Sequence, residues 1–124
     1  MVLYPQNKIY IAREIQTSFR RIRERSGLVV RELSERFSSR WDISQKGFNV
    51  YISGLENDPE VLLKALVRWT GRSQGYDLER TQIRITDYLN FLDANEIEKE
   101  GILSNIRKIQ PDFEYMNLEE RLDV

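Results

Sequence analysis

The residue types able to do covalent or metal chemistry are few in this chain. It contains neither histidine nor cysteine. That removes the commonest general base near neutral pH, the usual zinc ligands and thiolate nucleophiles. Carboxylates remain, but their spacing is unhelpful. Glu96, Glu98 and Glu100 alternate along the chain, and alternate residues on a helix point apart rather than toward one ion. Asp112 and Glu114 are placed no better. Ser44 and Ser53 lack a base to activate them and read as a cap and a contact residue. No catalytic residue, cofactor or metal is expected.

Binding chemistry is better represented, in the stretch SQKGFNVYISGLEN at residues 44–57. Phe48, Ile52 and Leu55 recur at intervals of four and three, which assigns them to the inward face of a helix. Each residue advances about 100°, so Lys46, Asn49, Val50, Ser53 and Asn57 fall outward. The amides of Gln45 and Asn49 suit an adenine edge, and the ammonium of Lys46 suits guanine or phosphate. Val50 suits a thymine methyl, and Ser53 a base or a phosphate. Gly47 is expected in the preceding loop, with the helix starting after it. For Gly54, which costs roughly 1 kcal/mol in an exposed helix, a compensating close approach of backbone to DNA is one account, and the question stays open at this point.

Charge separates along the chain although the net charge is only -1. Residues 1–46 hold ten Lys/Arg against five Asp/Glu, whereas residues 47–124 hold nine against fifteen. A basic front suggests an anionic partner, although solvated helix faces carry such charges as well. Arg31 and Arg40 flank the candidate helix and are the expected phosphate clamps, followed by Arg36; Arg20 and Arg21 fit a solubilising role. With about four phosphate contacts, the log–log salt slope would be near −3 to −4 per subunit.

Six helices must position these groups. The first is expected over Asn7 to Ser26, with Ile11, Ile15, Phe19 and Ile22 as its stripe and Gly27 at its end. The second covers Val29 to Phe37, carrying Val30, Leu33 and Phe37; residues 38–42 read as a loop. Ser44 is the expected N-cap of the third. Pro59 opens a fourth bearing Leu62, Ala65, Leu66 and Trp69, closed by Gly71. Residues 72–76 read as a hinge, and Asp77 opens a fifth helix with Leu78, Ile85, Tyr88, Leu89 and Leu92 inward. Asn95 and Glu98 have capping-box spacing before a sixth helix carrying Ile97, Ile102, Ile106 and Ile109, which must end before Pro111. Residues 112–124 fit a short helix, a docking tail or a disordered end. Trp41 is expected to close the top of the core, with stacking on a sugar or partner as the alternative. No strand alternation, repeat or low-complexity block occurs. The fold class is therefore all-α: a helix-turn-helix bundle of four to five helices with a C-terminal helical extension, divided into residues 1–72 and 73–124.

In order along the chain, residues 19–71 resemble the helix-turn-helix domain of the Cro/C1-type (XRE) DNA-binding regulators. The resemblance is carried by Phe19, Ile22 and Arg23, by Gly27-Leu28 and Leu33-Ser34, by Ile52-Ser53, Leu55-Glu56-Asn57 and Pro59, and by Leu63, Leu66 and Gly71. It implies a third helix laid in the major groove of double-stranded DNA and a role in transcription regulation. Glu56 is placed to pair with an arginine of the first helix, Arg23 being the candidate, or merely to solubilise the helix end. The chain departs from the family where Leu33 and Glu56 lie 23 apart, about eight residues more than usual, and where Val29-Val30 replace polar residues that meet phosphate.

Residues 77–124 carry twelve acidic and six basic residues, a poor surface for nucleic acid. Their apolar positions Ile85, Leu89, Leu92, Ile102, Ile106 and Ile109 are expected to form a homodimer, or else to fold back on the front domain. Such a dimer would set two reading helices roughly 34–36 Å apart. The alternative function is a helical protein-interaction module, antitoxin-like or an adaptor, using the acidic C-terminal segment. The start MVLYPQNKIY has no signal-peptide pattern, and no apolar run is long enough to span a membrane, so a cytoplasmic location is expected.

Overall fold

The computed structural model describes residues 6–66 and 78–116, and the described chain is all-α. Its helices are α1 (Gln6–Ser26), α2 (Val30–Arg40), α3 (Gln45–Glu56), α4 (Pro59–Leu66), α5 (Leu78–Phe91) and α6 (Glu96–Ile109). Trp69, Gly71, the hinge at 72–76, Asp77 and residues 117–124 lie outside the described residues.

Local chemistry sets most of the boundaries. Gly27, at φ +75, ends α1 in the left-handed region that glycine enters without penalty. The Ser44 side chain accepts from the Gly47 N–H and starts α3. Asp58 receives the first N–H groups of α4 behind Pro59. Asn95 and Glu98 form a reciprocal capping box at α6. Two expectations fail here. Gly47 sits inside the first turn of α3 rather than in the loop, because the Ser44 cap lies three residues before it. α2 also runs past Phe37 to Arg40, so the insertion between α2 and α3 is partly helix. A short turn completes it, with Asp42 at φ 52.

The core is one cluster drawn from all six helices. α1 lies centrally, packed on α3, α4 and α6. Ile15, Phe19 and Ile22 share it with Leu55, Leu63, Tyr88, Ile102 and Ile106, and Phe113 joins from beyond α6. This overturns the dimer surface. Ile85, Leu89, Leu92, Ile102, Ile106 and Ile109 are all buried inside one chain, so their apolar area is spent on folding. The fold-back alternative is the observed arrangement: the described residues on both sides of the expected boundary at 72/73 contribute to one core. Ile97, placed on the same stripe by spacing, is instead 85% exposed.

The segment after α6 is strapped down through residue 116. Gln82 donates to the Asp112 carbonyl, Tyr115 to the Lys99 carbonyl, and the Met116 N–H to the Thr86 hydroxyl. Burial raises the Tyr115 phenol far above its ordinary range. Among the described residues, no helix is long and apolar enough to cross a membrane.

Candidate nucleic-acid interface

Presentation of α3 begins on its inner side. Phe48, Ile52 and Leu55 are buried as their spacing requires. Phe48 stacks on Phe37 at 5.5 Å with nearly parallel planes. The C-terminal end of α3 is then tied to α1 by three polar contacts. Gln16 donates to the Gly54 carbonyl at 2.8 Å, Arg20 to the Glu56 carbonyl at 2.5 Å, and Arg23 grips the Glu56 carboxylate at 2.6 and 2.9 Å. Glu56 is therefore a buried partner of Arg23, not a solubilising end charge. The Glu56 hydrogen bonds raise the Arg23 guanidinium above its ordinary value and keep it charged.

Gly54 has a packing reason. A Cβ built there would lie 2.8 Å from Val61 Cγ1, so glycine lets α3 and α4 approach closely. Gly54 is buried against its own chain, which removes the reading in which its backbone meets DNA.

On the outer side, α3 carries two rows. Gln45, Asn49, Ser53 and Asn57 follow one another at intervals of four. With Val30, Arg31 and Ser34 of α2 and the edge of Ile52 they line a groove of about 390 Å³. Lys46 and Val50 fall on the neighbouring row and line a different concavity, toward α4 and α5. The five expected base-contact residues are thus divided: Gln45, Asn49 and Ser53 share the groove, whereas Lys46 and Val50 occupy the opposite flank of the helix. Gln45, Lys46, Asn49 and Val50 are exposed, and Ser53 is half-buried.

The expected phosphate clamps also divide. The Arg31 side chain is 90% exposed and only 3.7 Å from Glu35, a loose solvent-screened pair. Arg36 is exposed, with its guanidinium 5.1 Å over the Phe91 ring. Arg40 does not stand free. Its guanidinium is held by both carboxylate oxygens of Asp87 on α5 at 2.6 Å, and Asp87 also accepts the Trp41 indole N–H at 2.7 Å. The Asp87 side chain is 3% exposed, so the pair is structural: it compensates a carboxylate that packing has taken from water. Nothing in the local pattern around Arg40 announced this, because Asp87 lies 47 residues away.

Trp41 closes the core as expected. Its ring meets Phe37, Phe48 and Tyr51 at centroid distances of 4.5, 5.6 and 5.0 Å. Val29, which replaces a polar residue of the resembled family, precedes α2 without a side-chain cap and is half-exposed.

No protein-family model, curated protein or solved structure matches this chain. The functional reading therefore rests on the geometry and on the sequence pattern.

Proposed function

We propose that the protein is a sequence-specific double-stranded DNA-binding transcription regulator that presents α3 to the major groove. One observation carries this reading. α3 is anchored by its apolar side and by the Arg23–Glu56 pair, which leaves the amide row Gln45, Asn49 and Asn57, with Ser53, along a groove edged by the exposed guanidinium of Arg31. Amides on a rigid helix suit bidentate recognition of adenine, while arginine beside them suits phosphate or guanine. Lys46, on the adjacent row, is exposed and is assigned to the flanking phosphates in this reading.

Selection of bound sequences from a random duplex pool tests the assignment. The wild-type chain is expected to enrich a short motif containing adenine. Asn49→Ala is expected to keep the helical circular dichroism and lose that enrichment, at about 1–3 kcal/mol for a bidentate contact. Recovery of the unselected pool by the wild-type chain refutes the reading.

A second reading is supported by the arginines. Arg23 and Arg40 are engaged by Glu56 and Asp87, and Arg31, the basic residue among those lining the groove, lies 3.7 Å from Glu35. A groove this sparing in positive charge suits a polar protein segment, as in an interaction module of the antitoxin or adaptor kind. Co-purification of a fixed protein partner, with no affinity for duplex DNA, selects it.

A further inference from the structure

A cavity of about 470 Å³ lies on the other flank of α3, between that helix, α4 and α5. Its volume falls within the roughly 300–1,000 Å³ typical of small-molecule sites. Val50, Val61, Ala65 and Ile85 contribute to an apolar wall. Lys46, Arg80 and Arg84 line it as well, and no carboxylate lines it among the described residues.

Arg84 is the unusual member. It is half-buried, and among the described residues its guanidinium has no ion pair and no hydrogen bond; its recorded contact is with the Trp41 ring, 5.6 Å from the centroid. A desolvated guanidinium without an acceptor is costly, and burial accordingly lowers its pKa. The other half-buried arginines have acceptors, Arg23 the Glu56 carboxylate and Arg20 the Glu56 carbonyl, and Arg40 is held by both oxygens of Asp87. Beside Arg84, the Tyr51 hydroxyl is out of solvent and has no hydrogen-bond partner among the described residues. Burial pushes that phenol up, so it stays protonated and able to donate.

We infer that this cavity is a binding site for a small carboxylate with an apolar body, its carboxylate gripped by Arg84 and its body lying against Val61, Ala65 and Ile85. The ligand supplies the anion that Arg84 lacks, and the fork geometry of arginine matches a carboxylate bidentately. The inference is independent of the DNA reading, because binding is measured without nucleic acid.

Isothermal titration of the full chain with decanoate, and separately with decan-1-ol, tests it. The wild-type chain is expected to bind decanoate saturably and at least tenfold more tightly than the alcohol. Arg84→Gln is expected to remove that preference while leaving decanol binding within twofold. Ala65→Leu, which fills the cavity without touching the guanidinium, is expected to weaken both ligands. Absence of saturable decanoate binding overturns the inference, as does Arg84→Gln binding decanoate like wild type. Should Arg84→Gln unfold, equal wild-type affinity for acid and alcohol overturns it on its own.

Discussion

Arg23 on α1 and Glu56 at the end of α3 face each other across the bundle through two hydrogen bonds, at 2.6 and 2.9 Å, with only 3% of the Glu56 side chain exposed. The pair ties the C-terminal end of α3 to α1. Removing one partner strands the other in a site built for two charges. Arg23→Ala is expected to destabilise the fold by about 2–4 kcal/mol in urea unfolding, because it leaves a buried carboxylate. The double variant Arg23→Met with Glu56→Leu is expected to lose less than Arg23→Ala alone. A double variant less stable than the single would show that the charges themselves, and not their mutual compensation, hold α3.

Gly54 and Val61 mark the closest approach of α3 to α4. Alanine at position 54 raises helix propensity but puts a methyl 2.8 Å from Val61 Cγ1, inside any ordinary contact distance. Overpacking of this kind costs about 1–3 kcal/mol. Gly54→Ala is therefore expected to lower the thermal midpoint, and Val61→Ala in the same chain to recover part of the loss. Gly54→Ala at or above wild-type stability would mean that α3 and α4 can separate freely.

Features written in local spacing were legible in the sequence. The stripes Ile15, Phe19, Ile22 and Phe48, Ile52, Leu55 are buried where the 3.6-residue period puts them. Ser44, Pro59 and the Asn95–Glu98 box start helices because a cap needs only its own turn. The all-α class followed from these. Even the Arg23–Glu56 partnership was accessible, since charges of opposite sign sat at corresponding ends of two amphipathic helices. What failed depended on distant neighbours. Arg40 reads as a clamp until Asp87 is brought beside it by the docking of α5. An apolar stripe cannot say whether it meets a second chain or its own α1, and so Ile102 and Ile106 were assigned to the wrong surface. Ile97 shares the period of α6 but lies in its first turn, beyond the packed part. The Arg84 cavity had no signal at all, because it is made by what three helices leave unfilled.

Glu98 carries two duties, and pH separates them. The Arg25 guanidinium, at 2.5 Å, holds its carboxyl below the usual carboxylate range, with the Asn95 N–H assisting. A carboxyl lowered in the folded state adds stability above its unfolded pKa of about 4.3. That contribution disappears as pH falls through the lower, folded value. Glu98→Gln retains a side-chain acceptor for the capping box but cannot ionise. Its unfolding free energy is expected to be lower than wild type at pH 6 and to converge with it below about pH 3. A gap of constant size across that range would assign the effect to capping or packing and not to the ion pair with Arg25.

Arg31 and Arg40 make opposite predictions for DNA binding, although both were candidates for phosphate. Each phosphate neutralised contributes about −0.9 to the log–log dependence of affinity on salt. Arg31, Arg36 and Lys46 are exposed, so a wild-type slope of about −2 to −3 per chain is expected. Arg31→Gln is expected to weaken binding on any sequence and to make the slope shallower by about 1. Arg40→Gln removes a guanidinium already neutralised by Asp87 and leaves that buried carboxylate with the Trp41 indole N–H as its remaining donor among the described contacts. It is expected to lower stability while leaving the salt slope unchanged. Fluorescence anisotropy on a selected duplex, at several salt concentrations and with each variant confirmed folded by circular dichroism, separates the two. Equal slope changes for Arg31→Gln and Arg40→Gln would mean that Arg40 leaves Asp87 when DNA arrives, exchanging a buried partner for a phosphate at the surface. The bidentate geometry at 2.6 Å argues against that exchange, since the departing guanidinium would strand a carboxylate that packing has already removed from water.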